Sequence, residues 1–556
     1  MQTQIILVSL PYVNNNFHLG HLSGTFIPAE IYAQYLRSFE KKKVYLLSGL
    51  DCYGTSTFIT SVQKNIKCRQ FVDEKNRSFN NILSTMGVKL RYNYRTDSKE
   101  HASFVNQYIL KNLSRFETKE FFADYCSTCK TDLSDRLIIN ENNENKEKLF
   151  QRGVDTTKGT YYCWLCRSTV VQSVPRKGLF LKYHFEGPRY EQWVNNLNSK
   201  EDSKLVTRGF NRYGLLCTKP VNKLLDSKNS YYVWIEALLS YEDQLKRLKQ
   251  ESPRCTYFFA KDNSYYHNIV YPNLIMTGDS NPLKEGNNCY VRNYCTFKNV
   301  KMSNSLDNCL NMENIVHLDP EISRYALAKM DPLTGDSEIS VNDIEMHAKM
   351  YLKMYANMCH RVRALKNMRI CGRLLFPKMG HLLSNKRYGL GSLEKYKQNM
   401  RNSKLRESIK VLENFSSEIA LNIEHIFTLK SKSIHRNSEG SLKEEITAIY
   451  QKLLVLLKML GPFTPELSRK FHKFLKQPRA IFKLKTARRR VNVSIYNKKR
   501  GNTQGKIQTL KPNKSENMLR ITRINTVKSV ENLKVNMRFN QYDNTIKIWS
   551  ATKSKL

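Results

Sequence analysis

What this 556-residue chain lacks narrows the reading first. No apolar run reaches the roughly 18–20 residues needed to cross a bilayer as a helix. No charged-then-apolar leader precedes the first aliphatic run at Ile5–Val8. A membrane partner is therefore not expected, and a cytoplasmic location is. Acidic residues are scarce: 49 Asp+Glu stand against 91 Lys+Arg, a formal net charge of +42. Such a surplus is costly in self-repulsion unless a polyanion is bound, so nucleic acid is the expected partner class. A basic tail outside any folded domain is the other account. A disulfide framework is missing too. Thirteen Cys is an odd number; nine are scattered and four form two C-x-x-C pairs, the pattern of a metal site in a reducing compartment. The length excludes one compact domain and predicts two to four.

Of what is present, the stretch from Ile5 to His21 says most. Ile5–Val8 suits one buried strand, Ser9-Leu10-Pro11-Tyr12 breaks it, and Asn14-Asn15-Asn16 makes a polar turn. His18-Leu19-Gly20-His21 then opens a helical pattern through Leu22, Phe26 and Leu36. Two imidazoles three residues apart share a helix face where free amides and the helix dipole favour an anion. Gly20 lets another group approach the backbone. A nucleotide-phosphate site, a solvated helix start and half a metal site all fit these four residues. The wider order, strand, LPYVNN, HLGH, helix, strand Val44–Ser48 and GLDCYGT, resembles the start of class I aminoacyl-tRNA synthetases. The YVNN variant and Asp51-Cys52-Tyr53-Gly54-Thr55 resemble methionyl-tRNA synthetases of the eukaryotic and archaeal type.

The fold class expected is an α/β Rossmann-like catalytic domain (1–115 and 180–320) with a zinc-knuckle insertion (116–179). A helical anticodon-binding domain (321–480) and a basic C-terminal extension (481–556) follow. In the insertion, Cys126-x-x-Cys129 and Cys163-x-x-Cys166 are 33 residues apart, which suits a tetrahedral four-thiolate zinc site. Asn140–Lys148 between them is polar and reads as a surface loop. Relatives often carry knuckles in duplicate; here only the outer pair is present, so one structural Zn²⁺ is expected. Three long helical segments, Ile344–Met368, Lys404–Ile426 and Glu444–Leu475, fill the later region, the last interrupted at Gly461–Pro465. From Lys485 onward there are 18 Lys/Arg against 3 Asp/Glu. That fits an RNA-contacting extension, or a solubilising or nuclear-targeting tail. No motif specifies protein partners of the multisynthetase type, and none excludes them.

Asp51 follows a strand, where a carboxylate would suit a substrate ammonium; as a helix N-cap it would be structural. Trp234 and Tyr241 lie on one helical face with Ala237, either as a core stripe or as walls of a thioether pocket. The resemblance implies that methionine contacts Leu10, Tyr12, Asp51, Trp234, Tyr241 and His267, and that Asp262 organises the site. By residue type alone His267 is an interior histidine. Phe297 to Ser305 (FKNVKMSNS) resembles the mobile KMSKS loop, whose lysines steady the leaving pyrophosphate. Asn304 replaces its second lysine. The resemblance thus implies that ATP meets His18, Gly20, His21, Lys301 and Ser303, with catalysis by His18, His21, Lys301 and Asp262. Asn357 and Arg361, at i and i+4, form a polar helix face that the resemblance assigns to the tRNA anticodon. The expected function is ATP- and Mg²⁺-dependent ligation of L-methionine to tRNA(Met). The alternatives are a synthetase-derived tRNA-binding protein impaired by Asn304, or a class I synthetase for another apolar amino acid.

Overall fold

The computed structural model describes residues 3–476 except 14–15, 212, 251–252, 277, 303–307, 371–372, 375–387 and 433–438. Ser303, Asn304 and the basic extension from 481 lie outside the described residues. The chain divides into units Met1–Ala487 and Arg488–Leu556, and every described element belongs to the first.

Thr3–Val8 (β1) is buried along nearly its whole length, as expected of a parallel strand covered on both faces. A helix over residues 19–38 (α1) follows, then Lys43–Leu47 (β2), Thr55–Gln63 (α2), Cys68–Thr85 (α3) and Lys99–Lys111 (α4). Phe116–Cys126 (β3) and Val171–Lys182 (β4) frame the insertion; Val233–Leu248 (α5), Arg254–Ala260 (β5) and Asn288–Arg292 (β6) complete the catalytic layer. The sheet order is β6-β5-β1-β2, all parallel, with Leu7 beside Tyr257 on one side and Leu47 on the other. All four carboxyl ends therefore open on the same edge, where open α/β sheets bind ligands.

Two helices at that edge contain π-helical turns, Leu22–Phe26 within α1 and Tyr266–Val270 after β5. Both have the same cause. Pro28 and Pro272 each stand two residues beyond such a turn. In an α-helix a proline ring collides with the carbonyl four residues back and leaves it without a donor. Widening that turn relieves the collision, and Ile27 N–H and Tyr271 N–H bond instead to Leu22 O and Tyr266 O.

The insertion is a long antiparallel pair, β3 on β4, running from Phe116 opposite Leu181 to Tyr125 opposite Val171. At its far end Cys126, Leu137, Ile138, Leu149, Tyr161 and Cys163 make a small core of their own, against which Ile59 of α2 packs. The stretch 140–148 is more ordered than its composition suggests. Asn145 caps a short helix, Lys146–Gln151, and Lys146 Nζ pairs with Asp124 at 2.6 Å. The Asn145 side chain accepts from an N–H at the helix start that a purely polar loop would leave to water.

Pro320–Lys329 (α6), Val341–Lys366 (α7), Leu390–Arg401 (α8), Leu405–Lys432 (α9), Glu439–Leu460 (α10) and Pro465–Lys476 (α11) form the helical region. The break at Gly461–Thr464 is where the sequence puts it. Helix α8 is not among the helices expected from the sequence: it is polar and buries only Tyr396 and Met400, too few apolar residues to show a period. One continuous apolar core runs from Val8 and Leu22 through Tyr325 and Tyr351 to Leu475. Buried Arg292, at the end of β6, pairs with Asp331 at 2.7 Å and donates to Ser403 Oγ between α8 and α9. The helical region is thereby tied to the sheet by charge as well as by apolar contact.

Candidate active site

A cavity of about 640 Å³ opens at the carboxyl edge of the sheet. Ser9 N–H donates to Phe258 O, which holds the β1 and β5 ends together, and Leu10, Pro11 and Tyr12 continue as one wall. Beyond β2 the chain keeps its parallel pairing for one more bridge, Asp51 N–H to Pro11 O and Val13 N–H to Asp51 O, both 3.1 Å. This sets Tyr12 directly beside Asp51. A side chain at Gly54 would overlap the Tyr12 ring, so the close approach depends on glycine there. Gly54, rather than Asp51, is the N-cap of α2; the structural alternative for Asp51 is removed.

His18 and His21 sit at the start of α1 with ring centroids 3.7 Å apart, and the His21 ring stacks on Phe17. His18 N–H donates to His21 Nδ1 at 3.3 Å. The proton of neutral His21 therefore lies on Nε2, which is a donor without a full charge. Burial holds His21 down to about 4 and His18 to about 2, with Lys301 adding to both. Among the described residues His18 Nδ1 is buried without a partner. Lys301 Nζ pairs with Asp262 Oδ2 at 2.6 Å and lies 4.1 Å from the Tyr294 ring centre. Both partners of that pair are 42% exposed, and an ion pair so exposed contributes about 0–1 kcal/mol. It can therefore exchange Asp262 for a polyphosphate at little cost.

On the opposite side, Trp234 stacks on Tyr266 at 4.2 Å and 8°, with Tyr12 edge-on at 6.0 Å. Asp51 is 2% exposed, and its Oδ1 has no hydrogen-bond partner among the described residues. Burial pushes this carboxyl up to about 7, against a backbone N–H at Tyr53 and the Arg208 guanidinium. Arg208 is opposite in charge and equally unsatisfied: among the described residues Nε and Nη2 are buried without partners. An unsatisfied guanidinium edge in the cavity wall, with an unsatisfied carboxylate oxygen packed just behind that wall, can together take a zwitterion.

Among the residues singled out from the sequence, Leu10, Tyr12, His18, Gly20, His21, Trp234, Asp262 and Lys301 line the cavity. Asp51, Tyr241 and His267 are packed behind its wall rather than in it. His267 Nδ1 meets Asn263 O at 3.0 Å and Nε2 meets Tyr241 OH at 3.0 Å. The carbonyl can only accept, so Nδ1 carries the proton and Tyr241 donates to Nε2. Burial holds His267 down to about 4. Asn357 and Arg361 are on α7, away from the cavity; Asn357 is exposed, and Arg361 pairs with Glu424 of α9 at 2.5 Å. Residues not singled out from the sequence also line the cavity: Arg208, Tyr232 and, from the insertion, Ser134, Arg136 and Glu147. A single arginine on a three-residue strand has no motif to reveal it.

The four cysteines come together. Their sulfurs all lie within 4.8 Å of one another, with Cys126–Cys166 at 3.4 Å and Cys129–Cys163 at 3.9 Å. Tetrahedral zinc at about 2.3 Å from each sulfur requires about 3.8 Å between sulfurs. The donor set fits a four-thiolate metal.

The family described as tRNA synthetases class I (M) matches residues 4–363. The methionine–tRNA ligase of Methanobrevibacter smithii is 25% identical over 391 residues, covering 65% of this chain and 59% of the relative. That of Picrophilus torridus is 23% identical over 519 residues, covering 84% of this chain and 71% of the relative. The crystal structure of Mycobacterium tuberculosis methionyl-tRNA synthetase bound by methionyl-adenylate superposes with a TM-score of 0.64 at 15% identity. The match covers 86% of this chain and 94% of that one. At that identity the likeness concerns the fold.

Proposed function

We propose that this chain, which belongs to the class I tRNA synthetase (M) family, activates L-methionine with ATP and transfers it to tRNA(Met). The observation that carries the reading is the two-sided cavity. Neutral imidazole donors, a helix N-terminus and Lys301 face one side; Arg208, Tyr12 and Trp234 face the other, with Asp51 and Tyr266 packed directly behind them.

Asp51 receives the ammonium of methionine and Arg208 its carboxylate, while the aromatic pair takes the thioether, for which ring edges are favourable partners. ATP enters as its Mg²⁺ complex with the triphosphate over the start of α1. The methionine carboxylate oxygen attacks the α-phosphorus, the α–β bridging bond breaks, and pyrophosphate leaves. Negative charge accumulates on the leaving oxygens, where Lys301, released from Asp262, and the His21 Nε2 donor stabilise it. The 3′-terminal ribose hydroxyl of the tRNA then attacks the carbonyl carbon of the adenylate and AMP departs. The residues contribute position and charge, with no covalent intermediate on the protein. Asn357 and Arg361 on α7 are assigned to the anticodon, and the surplus of basic residues beyond Lys485 to RNA phosphates. Cys126, Cys129, Cys163 and Cys166 would hold one Zn²⁺ with no open position, a structural cross-link at the tip of the insertion.

Methionine-dependent ATP–pyrophosphate exchange tests this, with leucine, isoleucine and valine as competitors. Exchange specific for methionine and abolished by His21→Ala is expected. tRNA binding without exchange would instead support the impaired, Asn304-bearing alternative.

A further inference from the structure

Below the amino-group pocket lies a buried hydrogen-bonded chain that the mechanism above does not use. His101 Nε2 meets Glu236 Oε2 at 2.7 Å, and both side chains are fully buried. His101 Nδ1 meets Tyr94 OH at 2.7 Å, and Tyr94 OH meets Asp243 Oδ2 at 2.6 Å. Arg247 donates to both oxygens of Asp243, at 3.1 and 2.6 Å.

The donors can be placed one by one. Asp243, accepting from Arg247 on both oxygens, has no proton to give, so Tyr94 O–H donates to it. The phenolic oxygen must then accept, and His101 Nδ1 carries the proton that it accepts. One further proton lies between His101 Nε2 and Glu236 Oε2. It makes either an imidazolium facing a carboxylate or a neutral imidazole facing a carboxylic acid. Among the described residues Glu236 Oε1 is buried without a well-formed hydrogen bond, the nearby Thr96 hydroxyl being a weak donor to the carboxyl. Half of a carboxylate left unsolvated is costly, whereas the carbonyl oxygen of an acid tolerates it better. The surroundings act the same way. Burial, Asp51 and Asp97 push the Glu236 carboxyl up, opposed by Arg208 and Thr96. Burial holds His101 down to about 4, with Asp243 and Asp97 opposing and Arg247 assisting.

We propose that His101 is a positioning residue: by accepting a hydrogen bond from the protonated Glu236 carboxyl at Nε2, it holds that side chain as a neutral acid below the pocket. Asp51 and Arg208 then offer one negative and one positive charge to an α-amino-acid zwitterion. An ionised Glu236, even opposite a His101 imidazolium, would set a second carboxylate close to Asp51 to compete for the ammonium. The proposal rests on the reading of the cavity as an amino-acid site.

Two measurements test it on the full-length protein. In ¹⁵N-histidine-labelled protein, the His101 signal, identified by its loss in His101→Gln, should report a neutral ring protonated at Nδ1 from pH 6 to 8.5. In pyrophosphate exchange, Glu236→Gln, nearly isosteric and able to donate to Nε2, should keep the methionine KM and kcat within threefold. The acid limb of its kcat/KM profile should not move, while Asp51→Asn raises KM at least 100-fold. An imidazolium signal, or a Glu236→Gln variant as impaired in KM as Asp51→Asn, would overturn the proposal. The spectrum requires no substrate; absence of exchange in the wild type would defeat the proposed function and leave the His101 result to stand on its own.

Discussion

Replacing Asp51 by Asn should separate stability from function. The folded protein holds this carboxyl at about 7 against an ordinary value of 3.8. An acid with a raised folded pKa makes unfolding more favourable as pH rises, because the unfolded chain releases its proton first. The penalty is absent below about pH 4, grows as pH rises to 7, and is constant above that. Three pH units at about 1.4 kcal/mol each amount to about 4 kcal/mol, an order-of-magnitude ceiling. Asn has no proton to lose, so Asp51→Asn should be more stable than the wild type at pH 8, in the absence of ligands, and equal to it near pH 4. It should also lose the charge-assisted contact to the ammonium, worth on the order of 3–4 kcal/mol when buried, and so bind methionine 10²–10³-fold more weakly. Urea unfolding at pH 4 to 8, with methionine KM measured on the same samples, reads both effects. A variant less stable than the wild type at pH 8, or one with unchanged KM, would refute the reasoning.

Lys301→Ala should lower kcat for exchange by about 10²–10³ with methionine KM little changed, since the charge is needed as pyrophosphate departs; Asn304→Lys should raise kcat. Tyr266→Ala removes the ring on which Trp234 stacks and should raise methionine KM about tenfold, from the loss of about 1 kcal/mol of aromatic pairing and some buried area. Metal analysis of protein purified without chelator should find one zinc per chain. Cys126→Ser should lower that content and destabilise the insertion, read as protease cleavage between 130 and 160. Arg361→Ala should weaken tRNA(Met) binding while leaving exchange intact; an equal loss of both would place the residue in the fold rather than at the anticodon.

Much of the site was legible because its signals are local. The histidine pair and Gly20 lie within four residues, each C-x-x-C pair within four, and the break at Gly461–Thr464 opens on Gly461-Pro462, which end a helix, and is followed by Pro465, which starts one. Pro28 and Pro272 were equally visible, yet their effect required knowing that the surrounding turns were helical: only then does a proline ring force a π-turn. Helix α8 escaped notice because it buries only two side chains. Tyr266 looked like one tyrosine among many until Trp234 was found stacked on it.

The amino-acid sequence by itself determined the alternation of strands and helices, the order of the motifs, the four-thiolate set and the excess of positive charge. Each of these depends on residue type and on spacing along the chain. Tertiary structure alone decided which groups face one another. Arg208 acts electrostatically on Asp51 from a short strand after the insertion, which pairs with Asn229–Tyr231. His101 reaches Glu236, 135 residues away, because α4 packs beside α5. It also decided their charges. Burial holds His18, His21, His101 and His267 neutral and raises Asp51 towards neutrality. Those charge states depend on how much water the fold excludes, and no local pattern in a sequence records that.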